Sequence, residues 1–403
     1  MMRLIPERIT LIKISLGLNI LFICGVIFFV LIYYPKLIVK FDYYKQKVLA
    51  VLDENHKNTD KNAVVFYDAA AFEIIGRLPN VNTYSRLPEN AKKMVQQPVW
   101  KLSKNTAGIA VRFSSNTTKV IIRWTLHNNA NPYNQTSIAS KGLDLYSYEE
   151  GKWKFVGIAK PTESIENKAT VIEGMENKYR EYLLNLPLYD GIHSLTIGID
   201  KGATIEKPKV KLIDTSNPIV FYGTSITQGA SASRPGLTYT AQIERDFNKE
   251  VINLGFSGNG KFEKEIGKFI MTANPSVIVL DCTPNSPADT IKKNLPQLLD
   301  YILSVNDTIS ILLVERVMSD FAYFKKDNKT ISESISFINE QNKALREVYE
   351  GYVKANKNIA YIRNQQLIDP AYEATIDGIH FNDIGHQQAY ECLRQEIKKH
   401  LSH

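Results

Sequence analysis

From Pro218 onward, five short apolar runs recur along the chain: IVFY (219–222), VINLGF (251–256), SVIVLD (276–281), SILLVE (310–315) and NIAYI (358–362). Between them lie segments with helical spacing. Tyr239, Ile243 and Phe247 mark one face, Ile291, Leu295, Leu298 and Ile302 a second, and Ile335, Ile338, Leu345 and Val348 a third. Strands that alternate with helices imply a parallel sheet covered on both faces, an α/β architecture. In such sheets ligands bind at the carboxyl ends of the strands, so the loops that follow the five runs are where chemistry is expected.

The texture before Pro218 is different. From about Val64 to Leu212 short alternating runs such as GIAVRF, KVIIRWTL, GLDLYSY, KWKFVGI and HSLTIGI are divided by Asn-, Gly- and Pro-rich turns. Several strands at close spacing argue for a β-sandwich. Further upstream, Ile14–Tyr34 runs for 21 residues without a charge. As a helix it would span about 31 Å, close to the hydrocarbon core of a bilayer. Tyr33 and Tyr34 fall where an aromatic belt is expected, and the run ends in Tyr-Tyr-Pro-Lys rather than the small residues of a cleavage site. The expectation is an uncleaved membrane anchor with the bulk of the chain outside the cytoplasm, periplasmic or at the cell surface if the source is bacterial. The resulting division is anchor 1–47, linker 48–62, β-sandwich 63–215 and α/β domain 216–403.

Charge narrows the partners. The formal net charge is +7, but residues 1–47 carry +5 of it, which leaves the rest of the chain almost balanced. No basic domain exists, so a nucleic-acid partner is not expected. Cys24, Cys282 and Cys392 allow at most one bridge among the soluble residues, and no Cys/His cluster has zinc spacing. No metal, cofactor or obligate protein partner is expected.

The strand ends carry the chemistry. After the first run comes Gly223-Thr224-Ser225-Ile226-Thr227-Gln228-Gly229, after the second Ser257-Gly258-Asn259-Gly260, and after the third Cys282-Thr283-Pro284-Asn285. Beyond the fifth lies Asp377-Gly378-Ile379-His380. A serine hydroxyl is a weak nucleophile until an imidazole takes its proton. The imidazole needs a carboxylate to fix its tautomer and stabilise the cation. Backbone N–H groups and an Asn amide suit an oxyanion hole because they donate without carrying charge. Taken singly, Ser225 also suits a helix cap, Asn285 a loop cap and His380 a structural role, as does His386 within the last helix. Their ordered placement after the strands of one sheet favours acyl transfer.

These residues also make the chain recognisable. Residues 218–403 resemble the SGNH (GDSL-type) hydrolase family, and most closely a subgroup with the run GTSITQGASASRPG (223–236), then NLGFSGNGK (253–261) and LDCTPN (280–285). GLDLY (142–146), KWKFVG (152–157) and REYLLNLPLYDG (180–191) resemble the GxDLY-type β-domain that precedes the hydrolase in that subgroup. The resemblance implies a three-layer α/β/α hydrolase domain behind a β-sandwich, acting on esters and most often on acetyl groups of carbohydrates. It implies Ser225 as nucleophile, His380 as base and Asp377 as its orienter, with Gly258 N–H, Asn285 and Ser225 N–H as the oxyanion hole. Thr224 replaces the usual Asp before the serine, and Thr-Pro-Asn replaces a Gly-x-Asn-Asp block.

Other residues have two readings each. Arg234, just after the nucleophile, could bind substrate or the neighbouring domain. Glu315 could line the pocket or pair with Arg316 or a helix end. Asp281 is expected buried and hydrogen-bonded, and Trp124 and Trp153 could stack on sugars or fill the sandwich core. The leading expectation is a serine esterase that removes acetyl or another short acyl group from a carbohydrate. An acyltransferase on an envelope glycan and a non-catalytic glycan-binding protein are the alternatives. A glycosidase would need two opposed carboxylates, for which only Asp281 and Glu315 are at hand.

Overall fold

The computed structural model describes residues 63–355, 357–369 and 373–401. The expected anchor and linker lie outside the described residues, among which no helix is long and apolar enough to cross a membrane. Ten strands come first: β1 (Val64–Asp68), β2 (Glu73–Ile75), β3 (Ala110–Ser115), β4 (Val120–Leu126), β5 (Leu143–Glu149), β6 (Lys152–Ala159), β7 (Glu166–Ile172), β8 (Arg180–Asn185), β9 (Ile192–Asp200) and β10 (Ile205–Glu206). Two short helices, α1 (Gln97–Leu102) and α2 (Ser137–Lys141), interrupt them. The strands form two antiparallel sheets, one ordered β1-β9-β4-β7 and the other β10-β3-β8-β5-β6, with β2 added beside β3. Both sheets feed one core. Val120, Ile122 and Trp124 of the first pack with Val111, Phe113, Leu145, Tyr182 and Leu184 of the second. That is the alternation of a sandwich, in which every second side chain turns inward. Trp124 is fully buried and its indole N–H donates to Lys141 O at 3.0 Å, so it belongs to the core.

The remaining strands, β11 (Asp214–Gly223), β12 (Lys249–Gly255), β13 (Val277–Asp281), β14 (Ser310–Val314) and β15 (Ile359–Ile362), build a parallel sheet ordered β12-β11-β13-β14-β15. Five longer helices accompany it: α4 (Tyr239–Phe247), α5 (Lys264–Thr272), α6 (Ala288–Val305), α7 (Ile335–Lys354) and α9 (Asp383–Leu401). Two single turns, α3 (Ser225–Gln228) and α8 (Asn364–Leu367), follow β11 and β15. The strand pleat divides the apolar side chains between two cores. Val220, Tyr222, Ile278 and Leu280 pack under α5, α6 and α7, whereas Ile219, Phe221, Val277 and Val279 pack under α4 and α9. Burial on both faces is why these runs are continuously apolar in sequence. Strand order reverses beside β11, so its carboxyl end lies at the switch point where α/β sheets open a crevice.

The sandwich is pinned to that crevice. Arg86, fully buried, donates from Nη1 to Asn253 O at 3.2 Å and Gly255 O at 2.5 Å at the end of β12. Its Nε and Nη2 reach Asn105 O at 2.9 Å and Leu102 O at 2.7 Å on its own side. Four backbone carbonyls thus satisfy one buried guanidinium, whose fixed fork of donors suits the task. Trp153, half-buried on β6, donates to Asn248 Oδ1 at 2.9 Å after α4. Neither tryptophan is set out for sugar stacking.

Candidate active site

Four strand-end loops assemble the site. Thr224 caps α3: its hydroxyl accepts from Ile226 N at 3.3 Å, while Thr227 Oγ1 accepts from Thr224 N at 3.3 Å. This reciprocal cap at Thr224 starts the helix at Ser225 and leaves the Ser225 N–H as its first, with no intrahelical acceptor. Gly223 must be a glycine, because a Cβ there would stand 1.9 Å from Thr227 Oγ1. Thr227 in turn donates to Asp281 Oδ2 at 2.9 Å, which also accepts from Tyr239 OH at 3.1 Å. Burial pushes the Asp281 carboxyl up to about 7 against those two donors. Asp281 is therefore a buried brace behind the nucleophile turn, as expected from its place in the sheet.

Asp377 and His380 come from a tight loop closed by a bridge between Thr375 and Phe381. Asp377 Oδ1 accepts from His380 N at 2.8 Å and from Ile379 N at 3.2 Å, so the carboxylate caps its own turn. Its Oδ2 stands 2.8 Å from His380 Nδ1, and His380 Nε2 stands 2.9 Å from Ser225 Oγ. Burial acts to raise the Asp377 carboxyl, but hydrogen bonds from the His380 backbone, the His380 ring and Asn134 together hold it below the usual carboxylate range. An ionised Asp377 accepts only, which puts the ring proton on Nδ1 and leaves Nε2 as an acceptor for the serine hydroxyl. The arrangement can activate Ser225 as a nucleophile.

Gly258 follows β12 in a turn with φ of +69°, and nothing lies within 4 Å of where a Cβ would point. A left-handed residue there keeps the turn open at the sheet end. Asn285 closes a short 3-10 turn (Thr283–Asn285) after β13. That turn is held from behind by Gln341 of α7, whose Nε2 donates to Thr283 O at 3.0 Å and Ser286 O at 2.8 Å. The Asn285 Nδ2 is buried and has no hydrogen-bond partner. With no protein acceptor, this N–H pair is free to donate to an oxygen brought to the sheet end.

Against family models, residues 64–205 match the GxDLY domain, described as the N-terminus of SGNH-hydrolase-type esterases, and residues 216–398 match the GDSL-like lipase/acylhydrolase family. A Bacteroides ovatus protein named as a GDSL-like lipase is 32% identical, covers 84% of this chain and 98% of its own, and superposes with a TM-score of 0.77. The chain belongs to the GDSL-like lipase/acylhydrolase family. It is a carboxylic ester hydrolase by class. Among more distant hydrolase folds, a salicylyl-acyltransferase from a tetracycline biosynthetic pathway is 16% identical, with a TM-score of 0.68 over 83% of this chain and 97% of its own. A family two carbohydrate esterase from Clostridium thermocellum is 11% identical, with a TM-score of 0.52 over 85% and 99%. The comparison with curated proteins gives no match.

Two residues expected as possible substrate contacts are engaged elsewhere in this hydrolase. Arg234 Nη1 lies 2.6 Å from Asp144 Oδ2 and 2.6 Å from Tyr146 OH, and its guanidinium stacks 4.0 Å from the Phe155 ring. Asp144 is fully buried and also accepts from Gly236 N at 2.9 Å and Asn185 Nδ2 at 2.9 Å. The Asp and Tyr of GLDLY therefore clasp the Arg and Gly of SASRPG, so that the domain-binding reading of Arg234 is the one realised. A fully buried carboxylate needs such a partner.

Glu315 is also buried, and accepts from Arg346 Nη2 at 2.8 Å, Tyr361 OH at 2.6 Å and Asn364 N at 2.9 Å. Its capacity is spent within the fold rather than in a pocket. Arg316 is not its partner; it pairs with Glu333. With Asp281 braced and Glu315 occupied, neither of the two carboxylates at hand for a glycosidase is free to act as its acid or base. His386 is fully buried, with Nε2 3.1 Å from Ala230 O, and burial pushes it down to about 4. It is the structural histidine of the pair.

Two neighbours of the Ser225–His380–Asp377 line are not singled out by the sequence as site residues, although Tyr189 lies in the run REYLLNLPLYDG. Tyr189 donates from its hydroxyl to Ser225 O at 3.3 Å. Asn134 approaches the Asp377–His380 pair from a loop of the sandwich, more than 240 residues away in sequence.

Replacing Asn285 by Ala should lower kcat by roughly 10²–10³-fold with KM little changed, the usual loss for one oxyanion donor. Because the Asn285 Nδ2 makes no hydrogen bond to the rest of the protein, the thermal midpoint of the variant should not fall. Steady-state kinetics beside a melting curve checks both halves.

Proposed function

We propose that this chain is a serine esterase that removes acetyl or similarly small acyl groups from a carbohydrate, tethered to a membrane by the uncharged segment Ile14–Tyr34. The observation that carries the catalytic part is the continuous line Ser225 Oγ, His380 Nε2, His380 Nδ1 and Asp377 Oδ2, with successive contacts of 2.9 and 2.8 Å. Ser225 Oγ attacks the ester carbonyl carbon while His380 Nε2 takes its proton. Ser225 N–H, Gly258 N–H and Asn285 Nδ2 receive the oxyanion. Collapse breaks the bond to the sugar oxygen, which leaves with the proton from His380, and the acyl group stays on Ser225. His380 then deprotonates a water that attacks this second ester and releases the acid.

Ser225 is only 9% exposed, which favours a small acyl group over a long chain. The shared fold with the Clostridium thermocellum carbohydrate esterase supports a sugar as the alcohol half. The shared fold with the salicylyl-acyltransferase favours one second reading, in which a hydroxyl other than water accepts the acyl group from Ser225.

A series of 4-nitrophenyl esters from acetate to octanoate separates these readings. Acetate should be turned over fastest, with kcat/KM falling steadily as the chain lengthens. A preference for octanoate would overturn the small-acyl assignment, and turnover that appears only when a sugar hydroxyl is supplied would move the chain to the transferase reading.

A further inference from the structure

Two side chains of the sandwich reach the proposed triad: Tyr189 meets the Ser225 carbonyl, and Asn134 meets the acid–base pair itself. Asn134 sits in the loop between β4 and α2, and its Nδ2 lies 3.0 Å from Asp377 Oδ2 and 3.2 Å from His380 Nδ1. The orientation of this amide follows from its neighbour: an ionised carboxylate only accepts, so the NH2 group rather than the oxygen must face it. The loop is held in place from both sides. Asn134 O accepts from Ser231 Oγ at 2.9 Å, and Thr136 Oγ1 donates to Ser233 O at 2.6 Å, both beside the nucleophile turn. On the sandwich side, the buried Asp190 accepts from Asn128 N at 3.0 Å and Ala130 N at 2.7 Å.

We propose that Asn134 is a positioning residue of the catalytic centre: it fixes the Asp377 carboxylate against His380 and moderates the pull of that carboxylate on the ring. This rests on the esterase reading above. Two effects act in the same direction. The Nδ2–H bond spreads the charge of Asp377 and so weakens its pull on an imidazolium, and the positive end of the amide dipole stands beside His380 Nδ1. Both favour the neutral ring that catalysis needs. Asn134 Nδ2 and His380 Nδ1 are both donors in this tautomer, so their 3.2 Å approach is a contact imposed by the shared carboxylate rather than a bond between them. The sandwich thereby supplies a side chain that orients the proton-transfer pair.

The test is the pH dependence of kcat/KM on 4-nitrophenyl acetate for the full chain, the wild type beside Asn134→Ala and Asn134→Asp. Loss of the amide should lower kcat/KM about tenfold and move the acidic limb up by about half a pH unit. Asn134→Asp keeps the shape but puts a second carboxylate beside Asp377, and should move the limb up by about one unit or more. A merely structural asparagine would lower the height of the profile and leave its midpoint in place. An acidic limb that coincides with the wild type in both variants overturns the proposal. The rate at which Ser225 is labelled by an alkyl fluorophosphonate, followed by mass over the same pH range, gives the same readout without a substrate. Failure of the wild type to label at Ser225 would overturn the esterase reading and this inference together. Labelling with unmoved limbs overturns the inference alone.

Discussion

Ser225→Ala should reduce kcat/KM on 4-nitrophenyl acetate by roughly 10⁵-fold and leave the melting temperature little changed, since the hydroxyl's contact runs to His380 Nε2 in the half-buried site rather than to the scaffold. The size of the loss follows from what the hydroxyl does. Without Oγ no acyl-enzyme forms, and His380 has only water to deprotonate in a geometry built around the serine. The small residual rate comes from donors that still stabilise an oxyanion. The fold should not notice, because α3 is held by Thr224, Thr227 and Asp281 rather than by the Ser225 hydroxyl. Kinetics and a thermal melt on the same preparation decide the matter. Retention of more than a tenth of the activity would remove Ser225 from the mechanism.

The second large effect is expected at Asp377. Asp377→Asn should lower kcat by roughly 10⁴-fold with a much smaller change in KM. The turn explains why the change is a clean one. An asparagine oxygen can still accept from His380 N and Ile379 N, as Asp377 Oδ1 does now, so the loop keeps its shape. That same satisfaction forces the amide nitrogen into the place of Oδ2, where it faces His380 Nδ1 as a donor. The ring must then carry its proton on Nε2, pointing at Ser225 Oγ, and can no longer take the serine proton. The charge that stabilises the imidazolium is lost as well. A variant that kept kcat within tenfold of the wild type would show that His380 works without a carboxylate partner. Substituting Glu315 provides the contrast: it is committed to Arg346, Tyr361 and Asn364, so its loss should show first in stability.

Much of the site is legible in sequence because its determinants are local. Ser225 and Asn285 lie within a few residues of strand ends, and a strand buried on both faces announces itself as an unbroken apolar run with a loop behind it. Asp377 and His380 are three residues apart, and one turn suffices to bring carboxylate to imidazole. GTSITQG contains its own capping pair in Thr224 and Thr227. The five runs from 219 to 362 correspond to β11 through β15 with shifts of a few residues at their ends, the largest at β11, which begins at Asp214. Arg234, Glu315 and Asn134 were less readable for a common reason. Each is defined by a partner distant in sequence, and a charged or amide side chain carries no mark of which partner it meets.

The sequence alone therefore determined the alternation of strands and helices, the sandwich ahead of them, and the residue types waiting at the strand ends, since hydrophobic periodicity and turn chemistry act over a few residues. Tertiary structure decided which readings were realised. It spent Arg234 on Asp144 and Tyr146, enclosed Glu315, buried His386, left the Asn285 amide unpaired and brought Asn134 to the Asp377–His380 pair. Those outcomes depend on which surfaces close over one another. A buried charge is stable only where the fold delivers its partner, and that delivery is a property of the packed chain rather than of any segment of it.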